Sequence, residues 1–235
     1  MSTQMKRLAA PRTWSLRRKV NVWVTKQSPG AHPLERSMPA LIVMRDMLKI
    51  CDTAKEAKRV VGNRELLVDG KPLRSPKTPI GLMDIVSIPK MKANYRMLLT
   101  DKGKLALVPV SEDETKFKLC RIEKKTTVSK GKIQLNLHDG RNIVLDKNQY
   151  KSGDVLKISL EDQKILESYP LAAGATVMII EGNKSGHTST VSESVVVRGP
   201  SPNIVKFTDG GETVKSNVFV IGAKKAAIKL PEASE

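Results

Sequence analysis

The chain has 235 residues, 41 Lys and Arg against 24 Asp and Glu, a formal charge of +17 and only 3% aromatic residues. Such a surplus points to a polyanionic partner, either nucleic acid or an anionic membrane surface, while the length and 40% hydrophobic content allow a core and one to three small domains. A spanning helix needs about 20 consecutive apolar residues, and the best stretches, 40–44 and 171–180, are short or broken by Gly and Thr, so the membrane reading is excluded.

Leu8, Ala9 and Ala10 run straight into Pro11 and Arg12, so no secretory leader is expected and the expected location is the cytoplasm. Cys51 and Cys120 form neither a disulfide framework nor a metal-ligand spacing and read as reduced small hydrophobes. The charge surplus falls along the chain, from +7 over residues 1–36 to +1 over residues 173–235.

Residues 1–36 carry Lys6, Arg7, Arg12, Arg17, Arg18, Lys19, Lys26 and Arg36, three prolines and no sustained apolar period. They are expected to be a basic extension, disordered alone and ordered on RNA. Trp14 and Trp23, the only tryptophans, are too large and flat for a merely solvating tail; each is expected to dock on the body or on RNA bases.

From Ser37 the pattern turns helical. Pro39 suits a first turn, and Leu41, Met44, Leu48 and Cys51 recur at helical spacing. Thr53 and Glu56 form a capping box for a second helix, with Ala54, Ala57 and Val61 inward, Lys55, Lys58 and Arg59 outward, and Gly62 as C-cap. Leu66–Val68 then leads into Asp69-Gly70, which favours a type I′ turn, and residues 85–88 read as a returning strand. These elements resemble the alpha-L RNA-binding motif, a helix-helix-hairpin module of ribosomal proteins, pseudouridine synthases and other RNA-binding factors. The resemblance implies that Lys55, Lys58, Arg59, Arg64, Lys71 and Arg74 meet RNA phosphates.

Residues 94–172 are strand-like. Ile133, Leu135 and Leu137 alternate up to a His138-Asp139-Gly140 turn, beyond which Ile143 to Leu145 complete a hairpin. Strands opening with a glycine follow at Gly153 and Gly174. Residues 174–191 resemble the KOW motif of SH3-like barrels, with Gly174, Val177, Ile179, Gly182, Gly186 and Val191 in matching places and with Ala175 and Ser189 departing from it. Gly182 and Gly186 flank a loop able to bring backbone N–H groups and Lys184 to a phosphate.

No catalytic constellation is visible. No two glycines lie two residues apart, no Gly-Lys precedes Ser or Thr, and His32, His138 and His187 sit in turns without ligand spacing. The acidic clusters at 112–114 and 161–162 read as solvated loops. No cofactor, metal or active site is expected.

The basic start with Lys6-Arg7-Leu8-Ala9-Ala10-Pro11 and Trp14, the middle stretch Lys116 to Cys120 and the closing Asn217 to Gly222 together resemble the small-subunit ribosomal protein family S-four-e of archaea and eukaryotes. The resemblance implies an α+β multidomain chain: a basic extension (1–36), an alpha-L module (37–93), a β-rich middle domain (94–172) and a KOW SH3-like barrel with tail (173–235). It also implies a non-catalytic protein, monomeric within the ribosome, that binds small-subunit ribosomal RNA beside neighbouring ribosomal proteins. Few aromatic rings and many dispersed cations independently suit phosphate contacts to folded RNA. A KOW-type transcription or translation factor is the rival reading, and an RNA-modifying enzyme a more distant one.

Overall fold

The computed structural model describes residues 4–147 and 149–231. The chain is β-rich with few helices and divides into two compact units, one made of the described residues up to Leu99 with Lys104–Lys116, the other of Thr100–Gly103 with the described residues from Phe117 on.

In the first unit a five-stranded antiparallel sheet runs in the order Lys71–Pro72, Leu67–Val68, Ile85–Ile88, Ala93–Leu99, Leu105–Pro109. Asp69 and Gly70 both have positive φ, 50° and 75°, so the expected tight turn joins its first two strands. Met38, Ile42, Leu66, Ile80 and Met97 are fully buried. Each such side chain contributes about 1.5–3 kcal/mol by leaving water.

The expected first helix is shorter than its apolar spacing suggests. Ala40–Ile42 is α-helical, and the chain then widens through Val43–Met47, where the Leu48 N–H donates to the Val43 carbonyl at 2.9 Å. Lys49 follows in the left-handed region at φ 54°. The second helix, Ala54–Gly62, carries the capping box as read: Thr53 Oγ1 accepts from the Glu56 N–H, and the Glu56 carboxylate accepts from the backbone of Asp52 and Thr53. These hydrogen bonds hold the Glu56 carboxyl below its ordinary range, the Asp52 bond most of all. Ala57 and Val61 are buried, whereas Ala54, in the first turn, is exposed. Gly62 is the last helical residue rather than the cap, and the left-handed position falls on Arg64 at φ 57°.

Residues 5–36 are not an unstructured extension. Met5–Lys6 pairs with Trp23–Val24, and the Thr13 carbonyl accepts from the Leu105 N–H at 2.7 Å. Trp14 is 1% exposed, and its indole Nε1 donates to the Ser37 carbonyl at 2.7 Å. A short, Pro-broken segment lacks the length for an apolar period of its own, yet one large ring suffices to anchor it. His32, expected in an isolated turn, is buried and hydrogen-bonds Asp84 at 3.0 Å. Its ring lies so close to Gly81 that a Cβ there would sit 2.2 Å from it.

The expected boundary at 93/94 falls inside a sheet, because Ala93–Leu99 pairs with both Ile85–Ile88 and Leu105–Pro109. Arg96, buried in that strand, donates to the Glu114 carboxylate and carbonyl at 3.0 and 2.8 Å. Glu114 is therefore a structural partner and not part of a solvated acidic loop. The chain leaves this unit at Lys116.

The second unit holds two five-stranded antiparallel sheets. One runs Asn142–Leu145, Ile133–Leu137, Phe117–Thr127, Val155–Ser159, Ile165–Tyr169; the other runs Glu212–Val214, Ile204–Phe207, Thr188–Val195, Thr176–Ile179, Val218–Gly222. Phe117–Thr127 serves two partners by bending at an irregularity between Ile122 and Lys124: its first half pairs with Val155–Ser159 and its second with Ile133–Leu137. Cys120, Ile122, Leu135, Leu137, Leu156 and Ile158 form the core of this sheet. Arg121, buried, donates to the carbonyls of Ser216 and Val218 at 2.7 and 2.9 Å, so the stretches expected as separate domains at 94–172 and 173–235 share hydrogen bonds.

Asp139 lies beneath the expected turn, buried with Lys118 and bonded to Lys118 Nζ at 3.2 Å and Arg141 Nε at 3.1 Å. Burial alone would raise its pKa, but the charges of Lys118, His138 and Arg141 outweigh it and hold the carboxyl below its ordinary value.

Two outcomes follow for stability. Trp14→Ala should cost about 3–5 kcal/mol in urea unfolding, the usual cost of deleting a buried Trp; a loss below about 1 kcal/mol would mean the ring is dispensable to the fold. Asp139→Asn should cost about 3–5 kcal/mol at neutral pH, since it strands buried Lys118. Because the folded pKa of Asp139 is depressed, its contribution is full above the ordinary carboxyl value, about 3.9, and is lost as pH falls through the lowered one. The gap between the urea midpoints of the two proteins should therefore be full at pH 7 and narrow as the pH is lowered step by step into acid.

Candidate RNA interface

The expected phosphate-binding cations separate into three groups. On the capped helix, Lys55, Lys58 and Arg59 stand at i, i+3 and i+4 and are all exposed, opposite buried Ala57 and Val61. Arg64 after the helix, Lys71 beyond the tight turn and Arg74 are exposed in the same unit. All six side chains thus face solvent.

In the N-terminal segment the cations divide by role. Lys6, Arg12, Arg17 and Lys19 are exposed; Lys26 and Arg36 are half-buried. Arg18 is a backbone clamp, its guanidinium donating to the carbonyls of Ala10 at 2.6 Å and Pro11 at 2.7 Å. Arg7 is buried and donates Nε to the Arg17 carbonyl. Trp14, expected to be able to meet RNA, is sealed in the interior and offers no stacking face. Trp23 does offer one: it is 53% exposed, with Lys6 Nζ 4.9 Å from its ring centroid.

In the loop between Gly182 and Gly186 the fold takes up part of the expected cradle. The N–H groups of Ser185, Gly186 and His187 donate to the carbonyls of Gly182, Ile179 and Lys184. Gly186 is buried at φ 93°, where a Cβ would lie 1.8 Å from the Thr100 carbonyl oxygen, so its glycine serves close packing. Gly182 and Lys184 are exposed, but Lys184 Nζ folds toward Gly211.

One constellation escaped the sequence reading. Cys120, His138 and Asp139 bring potential ligand atoms within 4.8 Å of one another. Their chemistry is already committed: Asp139 answers Lys118 and Arg141, His138 Nδ1 accepts from the Arg121 N–H at 3.2 Å, and Cys120 Sγ lies 3.5 Å from the Asp139 carboxylate. Two cations on the one carboxylate oppose a further positive ion.

Comparison with known proteins gives the family. The sequence profile of Ribosomal family S4e matches residues 91–165, and that of the RS4NT domain matches residues 1–35. The small ribosomal subunit protein eS4 of Methanothermobacter thermautotrophicus is 39% identical over 231 residues, covering 97% of this chain and 95% of that protein. Its counterpart in Methanocella arvoryzae is 42% identical over 228 residues, covering 96% of each. The chain belongs to Ribosomal family S4e. The crystal structure of the 30S ribosomal protein S4e from Thermoplasma acidophilum superposes with a TM-score of 0.71 at 34% identity, over 80% of this chain and 96% of that one.

Within this S4e chain the sequence reading also missed Arg45, Lys49 and Lys104, which share a cleft with Arg7 and Arg17. Arg45 and Lys49, four apart on the polar side of an apolar run, were a legible signal; Lys104, more than fifty residues on, had none.

Replacing Lys55, Lys58 and Arg59 together by Gln should leave thermal stability within about 0.5 kcal/mol. The same variant should weaken binding to small-subunit ribosomal RNA and lower its salt slope by about one unit for each phosphate no longer neutralised. A collapse of stability would mean that these side chains support the fold instead.

Proposed function

We propose that this protein is a structural, non-catalytic constituent of the small ribosomal subunit that binds and stabilises folded ribosomal RNA, chiefly through phosphate contacts, in the cytoplasm and beside neighbouring ribosomal proteins. The observation that carries this reading is near-full-length similarity, at about 40% identity, to proteins named small ribosomal subunit protein eS4. The exposed cations of the capped helix and the N-terminal segment support it. No helix of the described residues is long and apolar enough to cross a membrane.

In this reading the helices and hairpin between Ala40 and Ile88 act as an alpha-L module and the sheet between Thr176 and Gly222 as a KOW barrel. The contact surface is then Lys55, Lys58, Arg59, Arg64, Lys71 and Arg74, joined by Lys6, Arg12, Arg17, Lys19 and the open ring of Trp23. Lys26, Arg36 and Lys184 are secondary contributors.

Full-length protein should remain stoichiometric on small subunits through a moderate salt wash; substoichiometric recovery would favour the factor reading. Its affinity for the isolated RNA should fall steeply with salt, with a log-log slope proportional to the phosphates neutralised. Trp23→Ala should cost about 1–3 kcal/mol of that affinity if a base stacks on the ring, without changing thermal stability. Unchanged affinity would confine Trp23 to the protein surface.

A further inference from the structure

Three separated stretches of chain meet around a cleft of about 830 Å³: Arg7 and Arg17 from the N-terminal segment, Arg45 and Lys49 from the widened turn after Ala40–Ile42, and Lys104. We propose that this cleft seats a bend of RNA phosphodiester backbone. The inference rests on the RNA-binding reading above and adds to it a specific site assembled only by the fold.

Charge is the first argument. Five cations line the cleft against two carboxylates, Asp46 and Asp52. Concave walls of one predominant sign focus potential and concentrate a polyanion far more than the same charges spread over a convex surface. Size is the second, because the volume lies within the range of about 300–1,000 Å³ typical of ligand sites and admits a backbone turn as well as a single phosphate.

Lining chemistry selects the backbone over the base. No aromatic side chain lines the cleft, so it offers no stacking platform. Ser15 and Asn21 supply neutral hydrogen-bonding groups, suited to phosphate oxygens and ribose hydroxyls. Two of the cations are also set in place before any ligand arrives. Arg7 is buried and tied to the Arg17 carbonyl, and Arg45 Nη2 is held by Asp46 Oδ2 at 2.9 Å. Lys49 keeps its left-handed backbone, at φ 54°, although it is not glycine. Groups fixed in advance lose less entropy on binding.

The test uses the full-length protein and small-subunit ribosomal RNA, with affinity measured across a series of KCl concentrations. Lys49 and Lys104 are both exposed, and the double variant Lys49→Gln, Lys104→Gln should lower the log-log slope by about 1.4–1.8 units, at about 0.7–0.9 per phosphate neutralised. Asp52→Asn, which removes a carboxylate from the cleft, should raise affinity. In a second readout the RNA should shield Lys49 and Lys104 from amine acetylation, and poly-glutamate at equal charge should shield them less. A wild-type slope in the double variant, weaker binding by Asp52→Asn, or equal shielding by poly-glutamate would each overturn the seat while the RNA-binding reading stood. A flat salt dependence of the wild-type protein would instead defeat the RNA-binding reading itself.

Discussion

The burial of the Trp14 indole fixes where the N-terminal segment lies, and the placement of that segment's exposed cations depends on it. With Nε1 bonded to the Ser37 carbonyl and the ring out of water, the neighbouring residues cannot drift. The turn they form is closed by Arg18 on the carbonyls of Ala10 and Pro11, and Arg7 is tied to the Arg17 carbonyl. One buried ring and two arginines thus orient Arg12, Arg17, Lys19 and the open face of Trp23. A highly charged segment that would self-repel in isolation becomes a rigid edge of the first unit, so less ordering entropy has to be offset when a polyanion binds.

The same sorting of cations runs through the whole molecule. A chain of charge +17 must keep most of its positive groups in water, and it buries a few only where a partner waits. Arg96 goes inside against Glu114, Lys118 against Asp139, and Arg121 against Glu123 and two carbonyls. Desolvation lowers the Arg96 pKa, and the Glu114 carboxylate counters it. These groups hold strands in register, and their charges are largely neutralised within the fold. The cations left on the helix Ala54–Gly62 and on the N-terminal segment keep their positive charge at the surface.

The loop between Gly182 and Gly186, which resembles the KOW motif in sequence, shows what a sequence likeness leaves open. Its glycines stand where the pattern expects them and take positive φ. The fold commits the N–H groups of Ser185 and Gly186 to its own carbonyls and packs Gly186 against Thr100. A glycine that permits a backbone conformation and a glycine that exposes N–H groups to a ligand look identical in a sequence. Which role it plays depends on what packs against it.

Local physics made part of this protein legible from sequence alone. The Thr53–Glu56 box, the Asp69-Gly70 turn, the His138-Asp139-Gly140 hairpin and the outward face of Lys55, Lys58 and Arg59 each rest on interactions spanning a few residues. The net charge likewise announced a polyanionic partner. Tertiary structure alone decided that Trp14 is a core residue, that Asp139 sits between Lys118 and Arg141, that residues 93–99 belong to the first sheet, and that Arg7, Arg17, Arg45, Lys49 and Lys104 share one cleft. The reason is the range of the forces involved. Helix caps and tight turns are selected by φ, ψ and neighbouring side chains, whereas burial and shared clefts arise from contacts between distant segments, which no local pattern encodes until the chain has closed on itself.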